Sequence, residues 1–338
     1  MLRFYLAAFL FFPVFSHGLG FGVQSELDAW SEPVPVAQMI DGWRSAGTGQ
    51  YAQGRFLSEF YMQADGWRVG WVSRKDYHLQ FSRDTARFYG LLEQQELAAG
   101  SYPLDLTVNT LESRGVHFTR FIPLSITELQ LGVSLLRPFA MNSGELNGLG
   151  EVSSSGQQGF EYNLDYRFSH NALLEQDAEN TNGLAHALNA RVEVPFANGG
   201  RLNIRADDVF YRVYWRQIGR SQGCIYQNRV ALTVCQQNYV QDSEYSGEQL
   251  LPGKYQLQYI QPFHENISAG ARLDAWGFYR EFSPVLSVHQ WQLVYGIQHG
   301  LWSLGYAAEH LKLSAGLDAA GVNTARQWHL YCDWNVDF

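Results

Sequence analysis

The last eleven residues, Trp328 to Phe338, constrain this chain more than any other stretch. Trp328, Leu330, Cys332, Trp334, Val336 and Phe338 alternate strictly with His329, Tyr331, Asp333, Asn335 and Asp337. Period 2 puts the first set on one face of a β-strand and the second on the other. Such a strand needs an apolar medium on one side and water or polar groups on the other. It stops on an aromatic residue, with no polar tail.

Ending this way, the stretch resembles the closing strand of bacterial outer-membrane β-barrels. The resemblance covers this strand specifically and the rest of the chain by pattern. It implies a transmembrane antiparallel up-and-down barrel in the outer membrane of a diderm (Gram-negative) bacterium. It also implies that Trp334, Val336 and Phe338 are the assembly signal. The partners it implies are outer-membrane lipid and the barrel-assembly machinery. It gives class and place in the cell envelope, and no activity.

The front end agrees with export. Arg3 precedes an almost wholly apolar run from Phe4 to Phe15, and small residues follow at Ser16 and Gly18. That is the layout of a cleaved signal peptide, expected over residues 1–18. A membrane anchor needs roughly 18 apolar residues, and Pro13 cuts this run short. Aromatic residues make up 15% of the chain and charged residues only 17%, against about 25% charged in ordinary soluble domains. An exported chain of that kind without membrane helices satisfies its backbone in lipid as a closed barrel. The net charge of −9 argues against nucleic acid as a partner.

Residues 19–100 read as a periplasmic lead-in, a plug or a first hairpin. Pro33, Pro35 and several glycines interrupt the early part. The Trp67 and Tyr77 segments could pair as a hairpin, and Asp84 to Glu96 looks helical with Asp84 as N-cap. From 101 to 338 alternating segments follow: Tyr102–Thr110, Thr127–Leu135, Gly144–Val152, Phe160–Phe168, Leu184–Val194, Arg201–Trp215, Tyr255–Tyr259, Ile267–Tyr279, Trp291–Ile297 and Trp302–Ala308. The phase slips at Asp207 and Asp208, as a β-bulge would require. The expected count is about 12 strands, or about 14 if the Trp67 and Tyr77 segments join. Short connections at Ile122–Ser125, Ser153–Gln158, Pro195–Gly200, Gln261–Glu265 and Gln298–Gly300 are expected at the periplasmic end. The long ones at His170–Gly183 and Ile218–Gly253 are expected outside. Cys224 and Cys235 are the local candidates for a disulfide in that last loop.

No motif for a metal or another cofactor stands out, so neither is expected. Outer-membrane lipid hydrolases carry Ser two residues after His. His117-Phe118-Thr119 comes nearest, and the inverted Ser287-Val288-His289 is the weak catalytic candidate, expected near the outer end of a strand. Asp165, Arg167, Arg191, Glu193, Arg205, Arg272, Asp274 and Glu309 fall on inward positions and are expected to line the lumen, as are Asp333 and Asp337. Three functions follow. One is a narrow, porin-like channel for small solutes with a charged lumen. Another is a closed structural or binding barrel, accessory to envelope secretion or assembly. The third is a lipid hydrolase using Ser287 and His289, which makes enzyme activity the least favoured outcome.

Overall fold

A computed structural model describes residues 18–45, 47–94, 98–171, 176–178, 181–228 and 234–337. Residues 1–17, where a signal peptide is expected, and Phe338 lie outside the described residues. The chain runs β1 (Gly20–Ser31), α1 (Val36–Asp41), β2 (Tyr51–Ala64), β3 (Trp67–Phe81), α2 (Arg83–Gln94), β4 (Gly100–Pro123) and β5 (Glu128–Val152). Next come β6 (Gln158–Phe168), β7 (His170–Asn171), β8 (Gln176–Asp177), β9 (Asn182–Pro195), β10 (Arg201–Gln227), β11 (Tyr239–Leu250) and β12 (Lys254–His264). The rest is β13 (Ile267–Trp276), β14 (Tyr279–Val288), β15 (Trp291–Tyr295), β16 (Trp302–Ala307), β17 (Leu311–Leu317) and β18 (Gln327–Asp337).

Sixteen strands share one antiparallel sheet. Without β6 and β11, fourteen of them close into a ring, with β18 paired back on β1 from Gly20↔Asp337 to Trp30↔Gln327. Closure leaves no open edge, so the backbone N–H and C=O groups of the wall pair between staves without water except where the register shifts. Both described chain ends lie at the rim of short turns, where Asp65-Gly66 joins β2 to β3 and His289-Gln290 joins β14 to β15.

The outer surface explains why the ring does not collapse into a soluble core. Outward positions such as Trp71, Leu188, Leu273, Leu293 and Leu304 stay exposed, around the whole ring. A monomer in water rarely shows so large an apolar band. Trp291 stacks near Tyr306 at the short-turn end (4.9 Å) and Tyr295 near Trp302 at the other (4.4 Å), as in the aromatic girdles of membrane barrels.

β4, β5 and β10 are 24, 25 and 27 residues long, more than twice the roughly 9–11 residues of a tilted crossing. Their far halves rise beyond the ring and, with β6 and β11, form a five-stranded turret. Leu164, Tyr166 and Phe168 pack its core against Leu146 and Ile225. Cys224 and Cys235 form a disulfide where β10 turns towards β11, with Cα atoms 5.6 Å apart. The buried Glu161 carboxylate accepts the N–H groups of Val234 and Cys235 and orders that turn.

Several expectations need correction. The count is fourteen, yet the Trp67 and Tyr77 segments are one strand, β3, and Tyr51–Ala64 is its hairpin partner. Gly20–Ser31 is also a barrel stave, so about half of residues 19–100 is wall. The Tyr102–Thr110 segment continues through Leu111 to Pro123, and Thr127–Leu135 merges with Gly144–Val152. The merger in β5 carries Ser153–Gln158 to the long-loop end, opposite the termini, and Gln298–Gly300 lies there too because Leu311–Leu317 is a further strand, β17. Ser82, not Asp84, caps α2: its Oγ accepts the Thr85 N–H at 3.0 Å.

Arginine in place of Leu304, at the middle of the outward face of β16, should lower unfolding stability in liposomes by about 2–4 kcal/mol. Denaturant titration of the refolded protein measures it.

Candidate functional site in the lumen

Because side chains alternate, each outward Leu or Phe fixes an inward neighbour. β1 sends in Gln24, Glu26 and Asp28; β2 sends in Arg55 and Glu59; β3 sends in Arg74 and Asp76. β10 adds Arg205 and then both Asp207 and Asp208, because its register shifts between Ala206 and Val209 and Asp208 takes a φ of 60°. The bulge therefore sends two consecutive carboxylates into one interior, which a regular strand forbids.

These charges meet across the barrel. Glu26 contacts Arg205 Nη2 at 3.0 Å and also Lys254 Nζ. Lys254 reaches Asp28 as well, and Asp28 Oδ1 lies 2.7 Å from His329 Nδ1. Arg55 Nη1 donates to Asp208 Oδ2 at 2.9 Å. Arg74 forks onto Asp76 at 2.6 and 2.8 Å and donates to Asp208. Glu26, Arg55, Arg74, Asp76 and Asp208 are all at most 3% exposed.

β1 and β12 are seven strands apart in a ring of fourteen, hence on opposite walls. A circular ring of this size would be about 28 Å across. A Glu–Lys pair spans roughly 13 Å between backbones at full stretch. The contact forces the section to be pinched along this line. Two further contacts draw the same walls together: Gln53 Nε2 donates to the Trp276 carbonyl at 2.9 Å, and His78 meets the Trp276 ring edge-on at 5.4 Å.

The pinch divides the interior into lobes of about 310 and 250 Å³. A third space of about 380 Å³ opens among the short turns, beside Thr127, Glu128 and Glu193. Arg191 and Lys312 border all three. Towards the long-loop end, Leu111, Leu136, Met141, Tyr211, Val213, Trp215 and Ile218 pack into an apolar plug.

The larger lobe also holds a polar chain. His117 Nδ1 lies 3.1 Å from Glu59 Oε1, and its Nε2 lies 3.2 Å from Thr119 Oγ1 and 3.3 Å from Asn189 Nδ2. A carboxylate, an imidazole and a hydroxyl in series can activate the hydroxyl. Here the Asn189 amide shares Nε2, and Thr119 is only 9% exposed. The geometry fixes the ring rather than offering a nucleophile to lipid.

Of the residues singled out from sequence, Arg191, Glu193, Arg205, Arg272 and Asp274 face inward, with Arg272 Nε donating to Asp274 Oδ2 at 2.6 Å. Asp165 and Arg167 sit on β6 in the turret, because that strand pairs with the raised halves of β5 and β10 and never crosses the belt. Glu309 occupies the short turn between β16 and β17. Trp334 and Val336 point outward, and Asp333 points inward. Ser287 faces the lumen and accepts from Gln292 Nε2 at 3.3 Å, while His289 sits exposed in the short turn with φ 56°. No hydrogen bond joins that pair among the described residues, and it lies at the end opposite to the one expected. No cluster suited to a metal ion occurs among the described residues.

Sequence reasoning missed Glu26, Arg55, Arg74, Asp76, Lys254 and Lys312. The signal was present: Phe56, Phe60 and Met62 alternate with Arg55, Glu59 and Tyr61. Gly54 and Ser58 among the outward residues diluted it.

No family description matches this sequence, and no curated protein matches it either. Among solved structures, the TodX deltaS2S3 mutant monoaromatic hydrocarbon channel is 11% identical with a TM-score of 0.40, over 95% of this chain and 90% of that one. A Pseudomonas aeruginosa FadL homologue is 10% identical with a TM-score of 0.39, over 95% and 88%. The translocator domain of autotransporter NalP from Neisseria meningitidis is 10% identical with a TM-score of 0.31, over 96% and 90%. All three likenesses are distant.

Removing one partner of the buried lattice strands another charge. Arg74→Met should cost about 3–5 kcal/mol, and adding Asp208→Asn should cost less than the sum of the two single changes. A denaturant-unfolding double-mutant cycle checks both.

Proposed function

We propose that this protein is an outer-membrane channel for small polar solutes, held closed by its ion-pair lattice. The carrying observation is the interior itself. Two polar lobes flank a charged pier and meet at Arg191, Arg205, Lys312 and Tyr331. A barrel that needed no passage would gain from filling this space with apolar side chains, since buried ion pairs rarely beat a packed hydrophobic core. The apolar belt, the aromatic girdles and ring closure support placement in a membrane.

Opening requires the pier to separate. Its groups are linked by hydrogen bonds rather than by interlocked side chains, so water can replace them pair by pair. Two observations favour a closed binding barrel as the second reading: most inward charges already have partners, and the turret offers an outer platform pinned by Cys224–Cys235.

Refolded full-length protein in planar bilayers distinguishes the two. The channel reading expects brief openings in the native sequence. It expects a higher open probability for Asp208→Asn and for Lys254→Gln, which removes a partly accessible arm of the same pier. Silence in all three overturns it and favours the closed barrel.

A further inference from the structure

We propose that Arg191 and Lys312 form an anion checkpoint at the junction of the lumenal spaces, so that the solute is a small carboxylate or phosphate. The proposal rests on the channel reading and names its cargo.

Three observations carry it. First, the two cations stand on opposing walls: Arg191 is on β9, the sixth stave counted from β1, and Lys312 is on β17, the thirteenth. Both border the two lobes and the mouth among the short turns. A solute in any of the three spaces has both cations on the lining.

Second, neither has an ion-pair or hydrogen-bond partner among the described residues, whereas their inward neighbours do. Arg205 holds Glu26 and Asp207, Arg272 holds Asp274, and Lys254 holds Glu26 and Asp28. Both side chains are exposed, so their donors are open to a solute in the lumen.

Third, the register neighbours of the two cations supply no free carboxylate, and Glu193, on the same mouth, is ion-paired with Arg201 at 3.7 Å. Asp333 lies directly across from Lys312 in the β17–β18 register. Its Oδ1, however, accepts the Tyr61 hydroxyl at 2.8 Å and its Oδ2 the Tyr331 hydroxyl at 3.4 Å. The register neighbours of Arg191 are Gln130 and Arg205. Neither neighbour supplies Arg191 with an opposite charge.

An arginine fork and a lysine ammonium from opposite sides suit a planar carboxylate or a tetrahedral phosphate. The adjoining spaces of 250–380 Å³ admit small anions and exclude polymers.

The test uses the full-length protein and an Arg191→Gln/Lys312→Gln double variant, with inorganic phosphate as the probe. In bilayers under a KCl gradient, the reversal potential of the native protein should show anion preference, and the double variant should lose it. Phosphate should reduce the chloride current of the native protein and lose about 10-fold or more in apparent affinity on the variant. A conducting protein without anion preference, or a variant with unchanged reversal potential and block, overturns the checkpoint and leaves the channel standing. A native protein that never conducts overturns the channel reading instead. Calorimetric phosphate binding then decides the site alone: binding that the double variant loses supports it, and no binding to the native protein overturns it.

Discussion

A charge cut off from water must find an opposite charge, and in this barrel the nearest one often stands on the far wall. Glu26 is 1% exposed and reaches across to Arg205 and Lys254. That requirement shapes the whole cross-section. Lipid sets the outer face and backbone pairing sets the ring, but neither chooses between a round tube and a flattened one. The carboxylates of β1 and the cations of β10 and β12 make that choice.

The flattening has two effects of opposite sign for a passage. It removes the wide central path that a round ring of fourteen strands would enclose, and it leaves two narrow polar lobes in its place. The apolar cluster fills part of the lumen towards the long-loop end with packed side chains, which yield only by rearrangement. The pier is held by buried hydrogen bonds and ion pairs instead of interlocked apolar side chains. The interior thus joins an apolar obstruction to a charged one.

Class was legible in the sequence because the closing strand alternates without interruption and ends among aromatics. The bulge at Asp207-Asp208 was legible too, because two adjacent acids cannot both keep the phase of a regular strand. The turret was not: β4 and β5 alternate smoothly through lipid and water alike, so nothing in their pattern marks where the membrane ends. The first two staves were hidden by Ser25, Gly54 and Ser58 at outward positions, where a small side chain in lipid looks like a turn residue. The lattice was beyond sequence altogether, since Arg74 and Asp208 are 134 residues apart and meet only after the ring closes.

β10 alone joins the levels of the molecule. It carries Arg205 and Asp208 in the pier, Tyr211 to Ile218 in the plug and Cys224 in the disulfide turn of the turret. No loop separates these stations. The ladder is interrupted by two kinks, at Asp208–Phe210 and at Gln217, where the backbone takes positive φ. The strand therefore holds the outer tip, the plug and the pier at set offsets along one continuous backbone that bends at two places.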